Sequence, residues 1–349
     1  MDYLQTNEEK TLNFDNEAIN AAYQKNNGTQ SLAIKILSVF GGILASWVFW
    51  GFIIVAELYE SETVSMILGV ILFASAIYMS KKFDRKIIFD TIIVSLFISG
   101  FILIGFAFDS MDMNKNTICI LSIIIAFLSI FITQKYIISF ISTLIISGNI
   151  LGLILLNSSY DFIHIYIAVF VAVITYFFLN EAKIISANNI LSKLYNPIRT
   201  GLIFSFVAGL TFVGIRWLHF VSYNFIWLSS IATICAVIYL FHNNLFEIFK
   251  INKRQHKILI YIFIILVLLP TAFSPAISGT ILLILLSFYV NYKTGLVLGI
   301  ISFIYFISQY YYDLNLTLLT KSILMFSSGI IFLIIYLFTS KKLMTNEKI

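Results

Sequence analysis

Twelve apolar segments divide this chain, and the basic residues between them fall on alternate sides. The segments are 34–56, 64–80, 87–108, 117–133, 136–156, 162–179, 199–218, 223–241, 258–273, 276–291, 294–309 and 319–339. A helix needs roughly 20 residues to cross the hydrocarbon of a bilayer, and most segments approach that length. They show no two-residue alternation and are too long for barrel strands. The pattern predicts an all-α, polytopic integral membrane helix bundle with about 12 transmembrane helices.

The scarcity of charge excludes a soluble protein. Only 11% of the 349 residues are charged, whereas 60% are hydrophobic. A soluble chain carries about 25% charged residues. Too few polar groups remain to cover a soluble core of this size, so lipid must surround most of these side chains.

The basic residues orient the segments. With the N-terminus in the cytoplasm, all but three of the 22 lysines and arginines lie on the cytoplasmic side; the exceptions are Lys115, Arg216 and Lys321. Lys/Arg retention on the cytoplasmic face sets membrane orientation. We therefore expect a multi-pass protein of the bacterial cytoplasmic (inner) membrane with both termini cytoplasmic. The net charge of +5 is explained by lysines near anionic membrane lipids, without a nucleic-acid partner.

The longest internal connection suggests a division into two halves. We predict a cytoplasmic N-terminal tail at 1–33, a first six-helix half at 34–179 and a cytoplasmic connecting loop at 180–198. A second six-helix half at 199–340 and a short cytoplasmic tail at 341–349 follow.

Two prolines interrupt the apolar region 258–291. Both of its segments are short and meet at Pro270 to Pro275, so they form either two spans or a re-entrant hairpin, which would leave ten spans. We favour two spans, because lipid does not tolerate irregular backbone that protein leaves uncovered. Broken helices often line transport paths, so this region is a candidate pathway. Its residues are Pro270, Ser274, Pro275 and Ser278.

Polar and aromatic residues also concentrate near the C-terminal end. The candidate cluster comprises Tyr310, Tyr311, Tyr312, Asp313, Thr317 and Lys321. Tyrosines are expected at a membrane interface, and Thr317 is placed to begin the last helix. Lys321 follows one turn later. It either snorkels to lipid phosphate or to Asp313, or belongs to a buried polar cluster that fixes the last hairpin or binds an anionic group.

Two further pairs are weaker candidates. Asp161 and His164 lie one turn apart, which allows a proton relay but equally an interfacial pair without a role. Arg216 and His219 end the seventh segment, where the arginine either anchors to headgroups or binds a carboxylate or phosphate group.

No residue set in the sequence predicts catalysis, cofactor binding or metal binding. Cys119 and Cys235 are isolated, and no Cys/His cluster has ligand spacing. We therefore expect no catalytic, cofactor or metal site, and no enzyme. Two glycine pairs spaced four apart, Gly148 with Gly152 and Gly295 with Gly299, permit close helix approach.

One family resemblance rests on the C-terminal region. The string Tyr-Tyr-Tyr-x-Leu-x-x-Thr-Leu-Leu-x-Lys-Ser at 310–322, followed by Gly329, resembles the signature of a multi-span bacterial membrane family known as domain of unknown function, number 4401. Pro275 and the apolar run after it are also similar to that family. The small, basic turn expected after this run is Val-Asn-Tyr-Lys at 290–293 in this chain. The resemblance implies a small membrane-associated partner protein and carries no activity or cofactor.

Three function classes remain open from the sequence. The number of segments and the position of the termini favour transport of a small molecule or lipid. The resemblance favours a non-enzymatic membrane scaffold that acts with a small membrane-associated partner protein. An intramembrane enzyme ranks last, because no catalytic arrangement occurs at any membrane depth.

Overall fold

The fold is described by a computed structural model. It covers residues 44, 46–82, 87–214, 225–242 and 254–313, with scattered positions between 317 and 333. All regular elements in these ranges are helices. The all-helical class expected from the apolar segments therefore holds for the described residues.

The helices follow the apolar segments closely. In chain order they are α1 (Ser46–Val55), α2 (Glu62–Lys82), α3 (Ile87–Ser110), α4 (Lys115–Thr133), α5 (Tyr136–Leu156), α6 (Phe162–Leu179), α7 (Glu181–Ala187), α8 (Asn189–Gly214), α9 (Ile226–Leu240), α10 (Arg254–Leu268), α11 (Pro275–Tyr289) and α12 (Lys293–Asp313). A 3₁₀ helix, Leu269–Phe273, joins α10 to α11.

Seven of the described helices are long and apolar enough to cross a membrane. They are α2, α3, α4, α5, α6, α8 and α12. Helices α1, α9 and α11 are apolar but shorter. The 15 residues of α9 and of α11 span about 22 Å, against about 30 Å of hydrocarbon. Length and composition thus identify membrane-type helices.

Helix α8 begins earlier than the seventh apolar segment. The apolar run starts at 199, but the helix begins at Asn189 and contains Pro197. The preceding residues 181–187 also form a helix, α7. Most of the predicted connecting loop at 180–198 is therefore helical. Hydropathy marks where a helix becomes apolar, and polar residues extend α8 beyond that point.

The described residues fall into two compact units, Met1–Met111 and Asp112–Ile349. In the first unit, α2 and α3 pack closely through glycine. A Cβ added to Gly100 would lie 2.7 Å from the backbone nitrogen of Phe73, and one added to Gly69 would lie 2.9 Å from that of Ile104. Neither helix has room for a side chain there, so the two backbones meet directly.

Helix α1 is attached to α3 by polar side chains. Ser46 Oγ donates to Ser95 Oγ at 2.6 Å, and Trp50 Nε1 donates to Ser99 Oγ at 3.1 Å. The acceptors lie one turn apart on α3, so both bonds fix the same pair of helix faces.

The second unit is built around α11. This helix packs against α6, α8, α9 and α12, and most of its residues are buried. Its approach to α8 is close, because a Cβ on Gly279 would lie 2.8 Å from Leu210 Cδ1. A helix buried on most sides needs partners for every polar side chain it carries, and these partners form the candidate site.

Candidate functional site

A group of buried polar side chains joins α6, α9 and α11. We name it the hydroxyl cluster and define it as His164, Ser229, Ser230, Thr233 and Ser278; all five are buried. His164 Nδ1 lies 3.1 Å from Ser229 Oγ, and Thr233 Oγ1 lies 2.8 Å from Ser278 Oγ. Each of these contacts crosses between two helices, so the cluster connects three helices through hydrogen bonds.

The hydroxyl cluster adjoins the break between α10 and α11. Ser230 Oγ donates to the carbonyl oxygen of Ala272 at 2.6 Å, and Ser278 Oγ donates to that of Pro275 at 3.2 Å. A helix break leaves carbonyl groups without their usual partners, and such groups are tolerated at membrane depth only where protein satisfies them. The cluster thus supports the irregular backbone at 269–275.

Two hydroxyls of the cluster also bond to main-chain oxygens of α9. Thr233 Oγ1 contacts Ser229 through the main-chain oxygen, at 3.1 Å, rather than through the hydroxyl. Ser229 Oγ also donates to the carbonyl of Ile226 at 3.0 Å. The hydroxyls of the cluster therefore combine bonds to main-chain oxygens with bonds to neighbouring helices.

The structure brings together parts of two sets that the sequence kept apart. Ser278 of the candidate pathway and His164 of the Asp161–His164 pair both belong to the hydroxyl cluster.

The other predicted residues of these two sets lie nearby in the chain. Ser274 lies between the 3₁₀ helix and α11, where its N–H donates to Thr271 O at 2.8 Å, and Pro275 begins α11. Pro270 is in the 3₁₀ helix. Asp161 is the residue before α6, and its carbonyl accepts the His164 N–H at 3.2 Å.

The C-terminal candidates are described only in part. Tyr310, Tyr311 and Tyr312 end α12, and Gln309 Nε2 donates to both carboxylate oxygens of Asp313, at 3.1 and 3.2 Å. Thr317 Oγ1 accepts from the Thr320 N–H at 3.3 Å, as a residue that caps a helix does. Lys321, Arg216 and His219 lie outside the described residues, so their predicted roles stay predictions.

A second polar group, only partly buried, surrounds the buried Arg199 in the first half of α8. We name it the arginine cluster and define it as Glu181, Tyr195, Asn196, Arg199 and Tyr292. The guanidinium of Arg199 donates from one terminal nitrogen to Glu181 Oε1 at 3.1 Å and from the other to Asn196 Oδ1 at 2.7 Å. Its side chain is 6% exposed and that of Glu181 is 27% exposed. The ion pair is therefore shielded on the arginine side and open to solvent on the glutamate side.

Aromatic rings enclose the guanidinium. Its Cζ lies 3.8 Å from the ring centroid of Tyr292, 4.8 Å from that of Tyr195 and 5.7 Å from that of Phe178. A cation held over ring faces is stabilised by the ring quadrupoles, more strongly once water is excluded. The Nε of Arg199 has no hydrogen-bond partner among the residues that the structure describes.

Hydroxyl groups extend the arginine cluster to neighbouring helices. Thr200 Oγ1 lies 2.9 Å from the Tyr292 hydroxyl and 3.2 Å from the Tyr136 hydroxyl. Tyr195 donates its hydroxyl to Phe177 O at 3.0 Å. These bonds tie the first turns of α8 to α5, to the end of α6 and to the turn before α12.

Sequence reasoning missed the arginine cluster. It counted Arg199 as one of many cytoplasmic charges at a loop boundary. The available signal was helical spacing, because Tyr195 and Asn196 precede Arg199 by four and three residues and therefore share its helix face. The contact with Tyr292, 93 residues further on, had no signal in the sequence. Tyr292 belongs to the Val-Asn-Tyr-Lys turn at 290–293.

Comparison with known proteins gives one family. The family described as domain of unknown function (DUF4401) matches residues 31–342, most of the chain. No curated protein and no solved structure matches this chain. The family's description assigns no activity, so function has to be argued from the two clusters. With its match over nearly the whole sequence, this chain belongs to the DUF4401 family, as the resemblance at its C-terminal end predicts.

Proposed function

We propose that this protein is an integral protein of the bacterial cytoplasmic membrane that transports a small molecule or lipid. In this proposal the chain crosses the membrane twelve times, in two six-helix halves, with both termini in the cytoplasm. The seven helices of membrane length support the embedding, and the charge pattern of the connections supports the orientation.

The observation that carries the transport proposal is the burial of His164. Its side chain has no exposed surface, lies within a membrane-type helix and is hydrogen-bonded to the neighbouring helix α9. Polar and ionisable groups within membrane helices are costly and usually mark a substrate or ion path. The adjacent break between α10 and α11 is the kind of element that lines such paths in transporters.

The chemistry of the hydroxyl cluster favours an uncharged or weakly charged substrate. Apart from His164, its members are serine and threonine hydroxyls, which donate and accept hydrogen bonds but carry no charge. A substrate with several hydroxyl, amide or ester groups would exchange these bonds one at a time as it moved. The broken hairpin would provide the path through the second unit.

A non-enzymatic scaffold is the second candidate. One face of α1 carries large apolar side chains that no described residue covers: Trp47 is 73% exposed and Val55 is 85% exposed. Lipid or a small membrane-associated partner protein fits this face. The scaffold proposal predicts that a partner co-purifies in fixed ratio and that no solute moves.

A matched pair of histidine variants tests transport. Cells that lack the protein would be complemented with wild type, with His164→Asn or with His242→Asn. His242 is the matched control, because it is exposed, outside the hydroxyl cluster, and its Nδ1 lies 2.8 Å from the Tyr261 hydroxyl. The measurement compares metabolites and lipids inside and outside the cells, followed by flux of any altered compound in proteoliposomes.

We expect deletion to alter at least one compound, His164→Asn to reproduce that change, and His242→Asn to behave as wild type. If His164→Asn accumulates to wild-type level in the membrane and leaves every compound unchanged, the hydroxyl cluster is not a transport site. Absence of any change upon deletion, together with a stoichiometric partner, would favour the scaffold instead.

A further inference from the structure

An open groove runs between α6 and α9. Both helices begin at the same end, because His164 and Ser229 meet near their starts. The groove lies further along the two helices and has a volume of about 500 Å³. Its walls include Ala168, Ala172, Thr175, Ala232, Cys235 and Ala236, and its far end is marked by Tyr176, Asn180 and Tyr239.

The groove exists because the facing side chains are small. Four alanines line it, two from each helix, and none extends beyond Cβ. Small residues commonly allow membrane helices to close on each other. Here the helices are held together at the His164 end and a space remains beyond it. Its volume is within the range of about 300–1,000 Å³ that small-molecule sites occupy.

A buried hydroxyl on the groove wall lacks a partner. Thr175 is 7% exposed, and its Oγ1 makes no hydrogen bond to any residue that the structure describes. An unsatisfied buried hydroxyl is costly, so a ligand in the groove that offers an acceptor to Thr175 would be stabilised. Thr175 precedes Asn180 by five residues, which places it about 7 Å below the polar end of the groove.

The charge near the polar end favours an anionic ligand. Lys183 follows Asn180 by three residues, at the surface of α7, and is exposed. The buried cation of this region, Arg199, is already paired with Glu181. A ligand that fits is therefore apolar over most of its length, with an acceptor for Thr175 and a negative charge beyond it.

We propose that the α6–α9 groove binds one anionic phospholipid of the surrounding bilayer. One acyl chain lies along the alanines, an ester carbonyl accepts the Thr175 hydroxyl, and the phosphate lies beside Asn180 and Lys183. The ester carbonyls of a phospholipid lie just below its phosphate, which matches the spacing of Thr175 and Asn180. This inference rests on the membrane embedding proposed above and does not require transport.

Photocrosslinking in vesicles tests the groove. The purified full-length protein would be reconstituted in phosphatidylcholine vesicles with a small fraction of phosphatidylglycerol that carries a diazirine on one acyl chain. Crosslinked peptides are then mapped by mass spectrometry. The matched probe is phosphatidylcholine with the same diazirine chain. We expect phosphatidylglycerol crosslinks to be enriched on the segments 168–180 and 232–239.

Two pairs of variants distinguish the contacts of the acyl chain from those of the headgroup. Ala236→Phe fills the groove and should lower its crosslinks several-fold, whereas Val297→Phe, at an exposed position of α12, should not. Lys183→Gln should lower the preference for phosphatidylglycerol roughly fivefold, as loss of one basic residue near a membrane surface implies. Lys193→Gln, also exposed, serves as its control.

Three outcomes decide the inference. Enrichment that both Ala236→Phe and Lys183→Gln reduce supports the lipid site. Crosslinks spread over all exposed helix faces, unchanged by these variants, overturn it and indicate that another part of the chain fills the groove. Absence of crosslinks throughout the protein overturns the membrane embedding as well. Lys183→Gln alters only an exposed side chain, so the headgroup test stands even if Ala236→Phe misfolds.

Discussion

Helix α6 contacts a polar cluster near each of its ends, and the two clusters differ in burial and in charge. His164 belongs to the hydroxyl cluster, whereas Phe178, about 20 Å further along the axis, faces Arg199 of the arginine cluster. The hydroxyl cluster consists of short side chains with little charge. The arginine cluster holds an ion pair whose guanidinium is enclosed by three rings.

The two clusters differ in what replaces the water that their polar side chains lose on burial. A short hydroxyl can also donate to a carbonyl of its own helix, as Thr233 does to Ser230 O at 2.8 Å, so it keeps a hydrogen bond when a contact between helices is lost. A buried guanidinium cannot be satisfied in this way and needs a counter-charge from another element. We therefore expect the arginine cluster to dominate stability and the hydroxyl cluster to remain adjustable, as a ligand path requires.

The largest expected effect comes from removing the counter-charge of Arg199. Glu181→Ala should destabilise the protein by about 3 kcal/mol, because it leaves a buried cation without its partner. The double variant Glu181→Ala with Arg199→Met should recover part of this loss, since no buried charge remains. Melting in detergent, followed by intrinsic fluorescence, measures both. A double variant that melts no higher than Glu181→Ala would show that the ion pair is not the source of the effect.

A smaller effect is expected from the aromatic wall. Tyr292→Leu removes the ring nearest to the guanidinium and should cost about 1–2 kcal/mol. Tyr292→Phe keeps the ring and loses only the hydroxyl contact with Thr200, so it should cost about 0.5–1 kcal/mol. The same melting measurement ranks the two variants. Equal losses would mean that the hydroxyl contact, rather than the ring, stabilises this end.

The smallest effect should come from the hydroxyl cluster. A double-mutant cycle on Thr233→Val and Ser278→Ala should give a coupling energy of about 0.6 kcal/mol, typical of hydrogen bonds between membrane helices. Thr211→Val is the control, because its hydroxyl donates only to Val207 O on its own helix. A coupling energy as large as the destabilisation by Glu181→Ala would mean that the two clusters stabilise the protein equally. It would contradict the expectation that the hydroxyl cluster can rearrange around a ligand.

Helix boundaries could be predicted where polarity changes abruptly. The apolar segments at 136–156 and 162–179 coincide with α5 and α6. The start of α8 was predicted ten residues late, because its first turns are polar and include Pro197. Hydropathy indicates whether lipid or water surrounds a side chain, and it does not indicate whether the backbone is helical. It therefore misses the part of a helix that continues beyond the apolar region.

The two glycine pairs show that sequence spacing does not predict which helices pack closely. Their spacing is identical, yet a Cβ on Gly295 would lie 2.5 Å from Ser287 Oγ, whereas one on Gly148 would meet nothing within 4 Å. Spacing places two glycines on one face of a helix but does not say which face meets a neighbour. The close contact of Gly69 and Gly100 joins two separate helices, which no spacing within one helix predicts.

The sequence by itself determined the helical, membrane-type character of this chain, the approximate ends of most described helices and the family. These properties follow from local composition, since each segment must match the solvent around it. Only the tertiary structure decided that His164 lies with Ser278 and that Arg199 lies between Glu181 and Tyr292. The residues brought together in this way are between 18 and 114 positions apart in the sequence. They depend on which helix faces meet, and apolar helices offer many faces of similar hydropathy, so packing and hydrogen bonding make the choice.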